Sequence, residues 1–284
     1  MNGPVVAGFD GSPESVTATE WAAREALHRR LPLELVQAWP WPRTDVLGTA
    51  DAVTWSRQQL AFREADLRAR FRGAEVTSAH VPEDPATALE AAGRDATMLV
   101  LGSRGLSTLR GFLVGSVSQE VLRRAACPVV LVRADDSPDR TAEREVVLGL
   151  DLRHACDAVI AFAFEAAALH AAPLRAVHAW DPPNGSAYMA FAAIGSTAED
   201  LALAERKELT DTLQPWRDRY PRVPVTPDLV RGSAAGVIVE QTARAGLVVV
   251  GRRTRRAPIG THIGSVAHAA IHHVHCPVAV VPYS

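Results

Sequence analysis

Lysine is nearly absent from this chain of 284 residues, since Lys207 is the only one among 30 basic residues. A Walker-type phosphate-binding loop carries a lysine directly after its last glycine, and no glycine-bearing stretch here contains one. The sequence also lacks a run of about 18 apolar residues, and its amino terminus has no basic segment followed by an apolar core. We therefore exclude a Walker nucleotide site and expect neither a membrane span nor a signal peptide.

Cysteine is scarce as well, because the chain contains only Cys127, Cys156 and Cys276. They form no C-x-x-C pair, and such an odd, sparse set is typical of a reducing compartment. Cys127 and Cys276 each precede a Pro-Val strand, so we expect both to pack in a core. The net charge of −2 provides no basic field for nucleic acid. We predict a cytoplasmic protein that binds neither nucleic acid nor membrane.

The two halves of the chain repeat one another. Asp151 follows Asp10 by 141 positions, whereas Val230 follows Val81 by 149, so an insertion of eight residues separates the two registers. One constant register on each side of a single insertion indicates a tandem duplication. The predicted domains are 1–137 and 145–284, and the predicted linker is 138–144.

Each copy alternates apolar strands with helices. The predicted strands of the first copy are 5–9, 33–39, 75–81, 96–101 and 127–133. They are near-continuous apolar runs, which is typical of parallel strands that are buried on both faces. Five strands and four helices per copy predict an α/β fold of two tandem, doubly wound, open parallel five-stranded sheets.

The stretch at 102–118, which begins after the fourth strand and includes the start of the last helix, is the candidate ligand-binding segment. A glycine-bearing loop at this place binds anions in α/β proteins, because backbone N–H groups and the helix amino terminus point into one space. We expect Gly102 and Gly105 to allow unusual dihedral angles and a close approach of the backbone to a ligand. We expect Gly115 to leave room for phosphate and Arg104 to supply positive charge. The stretch recurs at 251–266.

Asp10 ends the first strand. In an open doubly wound sheet, ligands bind beyond the carboxyl ends of the strands, where the strand order reverses. If the order is 3-2-1-4-5, the first and fourth strands are neighbours, and Asp10 faces the same crevice as the loop after Gly102. A carboxylate beside a glycine loop suits a nucleotide, since it can meet hydroxyl or base N–H groups while the loop amides meet phosphates.

The spacing Gly102-x2-Gly105-x9-Gly115-Ser116 resembles the ATP-binding signature of the universal stress protein family. The Val-x-Gly-x-Asp-Gly-Ser strand end, the Gly-Ser-Val-Ser helix start and the Cys-Pro-Val-Val-Leu-Val strand resemble the same family. The resemblance covers almost the whole chain, as a tandem two-domain member of the actinobacterial type. It implies a 3-2-1-4-5 sheet like that of adenine nucleotide alpha hydrolases, adenine nucleotide at the switch point, and a role in stress survival or dormancy.

The resemblance also assigns residues to two ATP sites, with or without Mg²⁺. In the first copy they are Gly8, Asp10, Ala38, Gly102, Ser103, Arg104, Gly105, Gly115, Ser116, Val117 and Ser118. In the second copy they are Gly149, Asp151, Ala179, Gly251, Arg252, Arg253, Gly264, Ser265 and Val266. The aspartates and alanines would lie near adenine or ribose, and the glycine stretches would hold ribose and phosphates. The last strands of the two copies would pair within the chain, and a homodimer stays open.

The second copy departs from the pattern at Thr254, which replaces the middle glycine, and at Leu152-Arg153, which replace Gly11-Ser12. A β-branched residue is unfavourable where φ is positive. Either the loop changes shape at Thr254 or the position never needed glycine. We expect the second site to bind nucleotide nevertheless.

Hydrolase motifs such as G-x-S-x-G and H-E-x-x-H are missing, and only one carboxylate recurs in both copies. We predict no catalytic residue and no metal ligand, and we favour a nucleotide-dependent regulator with an unknown protein partner. Two alternatives stay open: a slow ATPase or adenylate-transfer enzyme on the same scaffold, and a nucleotide-free interaction protein with degenerate sites.

Two further stretches have less weight. The histidines at 268, 272, 273 and 275 resemble a metal cluster, but the first copy has Glu120 and two arginines there, so we expect a solvated face. The alanine-rich helix at 155–172 lacks a charged face, so we expect it to be buried against a partner or against the other copy.

Overall fold

A computed structural model describes residues 3–39, 49–105, 112–113, 115–134, 145–154, 156–182, 197–242, 244–254 and 263–284. The predicted linker at 138–144 lies outside these ranges. Among the described helices, none combines the length and the apolar character needed to cross a bilayer.

Strands and helices alternate in the first copy as the apolar pattern predicts. The elements are β1 (Val5–Gly8), α1 (Pro13–Arg29), β2 (Leu33–Ala38), α2 (Thr49–Arg70), β3 (Val76–Val81), α3 (Pro85–Gly93), β4 (Met98–Gly105), β5 (Phe112–Leu113), α4 (Ser116–Arg124) and β6 (Val129–Arg133). The second copy follows with β7 (Glu145–Gly149), α5 (Asp157–Leu169), β8 (Leu174–Trp180), α6 (Ala198–Arg219), β9 (Val225–Arg231), α7 (Ala234–Glu240), β10 (Ala245–Arg253), α8 (Ser265–His273) and β11 (Val278–Tyr283).

Both copies have the predicted strand order. The order β3-β2-β1-β4-β6 in the first copy and β9-β8-β7-β10-β11 in the second are each 3-2-1-4-5. All pairings along these two orders are parallel, and the short β5 pairs with the end of β4 in the antiparallel sense. The switch point of each sheet therefore lies beside its first strand, between β1 and β4 and between β7 and β10.

The two sheets join along their last strands. β6 and β11 run antiparallel, with Val130 opposite Ala279 and Leu131 opposite Val278. These residues are at most 2% exposed, so the seam belongs to the core. The intrachain pairing implied by the family resemblance is confirmed.

Two buried arginines reinforce this junction. Arg252 of β10 donates to the carbonyl oxygens of Arg123 (2.9 Å) and Ala125 at the carboxyl end of α4. Arg133 of β6 donates to the carbonyl oxygen of Ile271 in α8 (3.1 Å). The carboxyl ends of helices carry partial negative charge, so a guanidinium is favourable in both places. Burial lowers the pKa of Arg252.

The alanine-rich helix α5 is buried as predicted. Phe164 is fully buried, with its ring centroid 5.6 Å from that of Tyr220, the C-cap residue of α6. On its other side the guanidinium of Arg29, from the first copy, lies 5.5 Å from the ring centroid of Phe162. The carboxyl-terminal part of α5 is therefore covered in part by α1 of the other copy.

The chain leaves α1 and α5 in the same unusual way. Arg30 has φ of 56° and Ala171 has φ of 50°, and they are the only described residues other than glycine with positive φ. The next residue donates back into the last helical turn in both cases, with Leu31 N to Ala26 O and Ala172 N to Ala167 O both at 2.9 Å. The left-handed turn is thus a feature that the duplication has kept.

Ala171→Gly should stabilise the protein, because a left-handed conformation is strained for alanine and unstrained for glycine. We expect the free energy of unfolding to rise by about 0.5–1 kcal/mol, measured by urea denaturation. Ala168→Gly, in the last turn of α5, is the matched control and should lower it by a similar amount. A loss of stability in Ala171→Gly would contradict the strain at this position.

Candidate functional site

The predicted first site assembles at the switch point. Val5 pairs with Met98 and Ala7 with Val100, so the carboxyl ends of β1 and β4 are adjacent. Asp10 lies just beyond β1 and is exposed, and its Oδ1 accepts hydrogen bonds from Ser12 N (3.0 Å) and Ser12 Oγ (2.5 Å). Gly8, Ala38 and Gly102 end or approach the ends of their strands at this same edge of the sheet.

The loop after the fourth strand begins later than predicted. β4 continues through Gly102 and Ser103, which pair with Val132 and Arg133 of β6. Its last residues, Arg104 and Gly105, pair with β5. Extended backbone replaces the unusual dihedral angles predicted for Gly102 and Gly105, and neither has positive φ.

Gly102 is glycine for a reason that concerns packing. A Cβ built there would lie 2.7 Å from the carbonyl carbon of Glu14 and 2.8 Å from the backbone nitrogen of Ser15. Glu14 and Ser15 form the first turn of α1, so β4 touches the helix backbone directly. The glycine lets α1 sit close above the switch point.

The positions of Gly115 and Gly264 agree with the prediction that a glycine leaves room at the start of the last helix of each copy. They are the N-caps of α4 and α8, and a Cβ at either would meet no atom of the described residues within 4 Å. Among those residues, none fills the space beside either glycine. Ser118 Oγ donates to Gly102 O at 3.4 Å and ties the first turn of α4 to β4.

The starts of α4 and α8 differ chemically from those of four other helices. Side chains cap α1, α3, α6 and α7, from Ser12, Asp84, Thr197 and Ser233 respectively. At α4 and α8 the glycine N-cap supplies no such hydrogen bond. Backbone N–H groups with no side-chain cap at a helix amino terminus are an anion-binding arrangement.

A cavity of about 500 Å³ occupies the predicted second site. All but one of the residues predicted for that site line it: Gly149, Asp151, Ala179, Gly251, Arg253, Gly264, Ser265 and Val266. The volume falls in the range of small-ligand sites. The start of α5 also faces this cavity through Cys156, which is its N-cap and makes no side-chain cap.

Polar groups at the cavity are held in defined orientations. Asp151 Oδ1 accepts from Arg153 N (3.1 Å), and its Oδ2 lies 3.0 Å from His154 Nδ1. Asp151 thus binds the nitrogen two residues on, as Asp10 does in the first copy. His178 is buried between the carbonyl oxygen of Leu150 (2.9 Å) and the carboxylate of Glu205 (3.3 Å).

Two predicted side chains do not face a site. Arg252 is 3% exposed and its guanidinium contacts α4 of the other half, so this side chain does not line the second cavity. Ser103, its counterpart in the first copy, is 1% exposed, and its hydroxyl has no hydrogen-bond partner among the described residues. The side chain of Arg104 lies outside the described part of the structure.

Thr254 resolves the alternative left by the sequence. Its backbone N–H donates to Tyr283 O at 2.6 Å, and its hydroxyl donates to the same oxygen at 2.9 Å. The residue continues the edge between β10 and β11 without positive φ. The position therefore did not need glycine.

Several cavity residues were not foreseen from the sequence. Val177, Val237 and Ile238 form an apolar wall, and His154, Cys156, His178 and Tyr283 add polar groups. His178 directly precedes the predicted Ala179. Cys156 could have been found from its place before the first apolar turn of a helix, as an N-cap position.

An open doubly wound sheet places this chain in a class of α/β proteins whose ligands, where they have them, bind beyond the carboxyl ends of the strands at the switch point. The universal stress protein family model matches residues 1–133 and 143–282. Universal stress protein Rv2005c of Mycobacterium tuberculosis is 35% identical, over 99% of this chain and 97% of that protein. The chain belongs to the universal stress protein family and contains two such domains in tandem.

A solved structure has the same fold over the whole chain. A universal stress protein of Archaeoglobus fulgidus aligns over 100% of both chains with a TM-score of 0.69 at 16% identity. Another universal stress protein of that organism, solved in complex with dAMP, matches 46% of this chain and 98% of its own at 24% identity and a TM-score of 0.37.

Proposed function

We propose that this chain is an ATP-binding universal stress protein with one nucleotide site in each half, and that bound nucleotide regulates a stress or dormancy response. The observation that carries the proposal is the cavity of about 500 Å³, which reaches two helix starts without side-chain caps, those of α5 and α8. Such a cavity offers backbone donors to phosphates and an apolar wall to a base.

The cavity divides into two chemical regions. Gly264, Ser265 and Val266 at the start of α8, with Arg253 nearby, form the region suited to phosphates. Ala179 near the end of β8 and Ile238 of α7 contribute apolar surface, which suits adenine. In the first site the phosphate region is formed by Gly115 and the first turn of α4.

Asp10 and Asp151 serve to bind rather than to catalyse in this proposal. Each carboxylate orders the turn that follows its strand, through Ser12 in one copy and through Arg153 and His154 in the other. Both remain exposed and face the ribose or a Mg²⁺ ion carried by the nucleotide. Ser12 accompanies Asp10 where His154 accompanies Asp151, so no acid–base pair of the kind that hydrolysis uses is common to the two sites.

The test is direct. The purified chain is denatured without added nucleotide, and the supernatant is analysed by mass spectrometry for adenine nucleotides, followed by thermal unfolding with and without ATP. We expect released ATP or a rise in unfolding temperature. If no adenine nucleotide is released and ATP does not raise the unfolding temperature, the proposal is wrong and the nucleotide-free interaction protein is favoured. Multiple-turnover release of phosphate that Asp10→Ala abolishes would instead favour an ATPase.

Thiol labelling locates nucleotide in the second cavity. Cys127 and Cys276 are 6% and 5% exposed, and burial raises the pKa of Cys127 to about 11, so both should resist labelling. Cys156 is partly exposed at the cavity wall and should react with a thiol reagent at pH 8. Saturating ATP should slow that reaction about tenfold or more, measured by absorbance of the released thiolate.

Cys156→Ser is the control, since it should remove the fast, ATP-sensitive reaction completely. If ATP binds in solution while the labelling rate of Cys156 stays unchanged, nucleotide does not occupy the second cavity.

A further inference from the structure

A group of three possible metal ligands lies where α1 of the first half meets the end of α5 of the second. It consists of Glu25, His28 and His170, and one ligand atom from each lies within 4.8 Å of the others. Glu25 and His28 are three positions apart on α1, so both project from one face of that helix. His170 is the C-cap of α5. The group thus draws ligands from both halves of the chain.

We propose that Glu25, His28 and His170 bind a divalent transition-metal ion of the zinc type, which links the two halves. Two imidazole nitrogens and one carboxylate oxygen form a ligand set suited to Zn²⁺ and its first-row neighbours, whereas Mg²⁺ and Ca²⁺ prefer oxygen ligands alone. This proposal concerns a site apart from both nucleotide sites and does not depend on them.

The distances fit with small side-chain rotations. His170 Nε2 lies 2.9 Å from Glu25 Oε2, close to the separation of about 3.3 Å between two ligands that each lie about 2.0 Å from a tetrahedral zinc ion. His28 is exposed, and its ring centroid lies 4.9 Å from that of His170. The exposed ring can turn toward the other two ligands and leaves a fourth position open to water.

The surroundings orient the carboxylate for this role. Glu25 is 2% exposed, and its Oε1 accepts from Arg29 Nε at 2.6 Å. Its Oε2 shares a hydrogen bond with His170 Nε2, and a bound ion would replace that hydrogen bond by coordinating both atoms. Hydrogen bonds from outside the metal site commonly hold ligands in this way. The charge of Arg29 is offset in part by Glu165 of α5, whose carboxylate lies 3.8 Å away.

The experiment titrates metal-free protein with Zn²⁺ alone by isothermal calorimetry and follows thermal unfolding with and without Zn²⁺. We expect one site per chain and a higher unfolding temperature with Zn²⁺, because the ion binds both halves of the folded chain. Co²⁺ should give the visible absorption of a low-symmetry nitrogen–oxygen site. His28→Ala should weaken Zn²⁺ binding about tenfold or more, and His28→Ala with His170→Ala should abolish the rise in unfolding temperature.

The matched control is His268→Ala with His272→Ala, which removes the other close histidine pair, with ring centroids 4.3 Å apart on α8. This variant should keep the Zn²⁺ affinity of the parent. Unchanged affinity in His28→Ala, or loss of binding in the control, would overturn the proposal. His28 is exposed, so its single variant keeps the test valid even where the double variant does not fold.

Discussion

If ATP binds both proposed sites, we expect Gly115→Glu to weaken binding at the first site about a hundredfold or more, a loss of about 2.7 kcal/mol or more in binding free energy, and to leave the second site unchanged. The backbone accepts the change, because Gly115 has φ of −58° and no atom of the described residues lies within 4 Å of its added Cβ. The new carboxylate stands at the start of α4, where it fills the space for phosphate, competes for the N–H groups and repels the ligand.

Isothermal calorimetry measures this as a fall from two ATP molecules per chain to one. Gly115→Ala is the matched control, because it adds a methyl group to the same open space without charge and should retain both sites. Two unaltered sites in Gly115→Glu would show that phosphate does not lie at the start of α4.

Gly102→Ala lowers the free energy of unfolding by about 3 kcal/mol. The added Cβ would lie 2.7 Å from the carbonyl carbon of Glu14, and the atoms it meets include helix backbone, which cannot turn aside as a flexible side chain can. α1 must therefore shift away from β4, and the core contacts of Ala18 and Ala22 beneath the helix loosen with it.

Urea denaturation checks this, with Gly115→Ala as the comparison, since the same glycine-to-alanine change in open space should alter stability by less than about 1 kcal/mol. Equal stabilities for the two variants would mean that α1 does not contact the backbone at Gly102.

The fold was predictable because its determinants are local. Near-continuous apolar runs such as residues 96–101 indicate buried parallel strands, and the constant register between the copies supplied two chances to recognise each element. The strand order and the antiparallel pairing of β6 with β11 came from family resemblance, since no property of Val130 or Ala279 alone selects its partner strand.

The site was predictable in position but not in every side chain. Arg252 is an example: the predicted fourth strand of the first copy ends at Leu101, whereas its counterpart in the second copy, β10, runs to Arg253. Once β10 runs to Arg253, neighbouring residues must point to opposite faces, so one arginine faces the cavity and the other faces α4. Gly102 must be glycine because of its contact with Glu14 in α1, which lies 88 positions earlier in the chain. Spacing within the glycine stretch cannot reveal such a contact.

The antiparallel seam between β6 and β11 has a consequence for how this protein can evolve. When two identical subunits form a pair, any mutation alters both sites at once, and the pair dissociates on dilution. Covalent fusion removes both constraints. The pair persists at any concentration, and the second half can carry Thr254 and His154 where the first half keeps Gly105 and Pro13. Two ligand affinities can therefore diverge within a single polypeptide at a fixed one-to-one ratio.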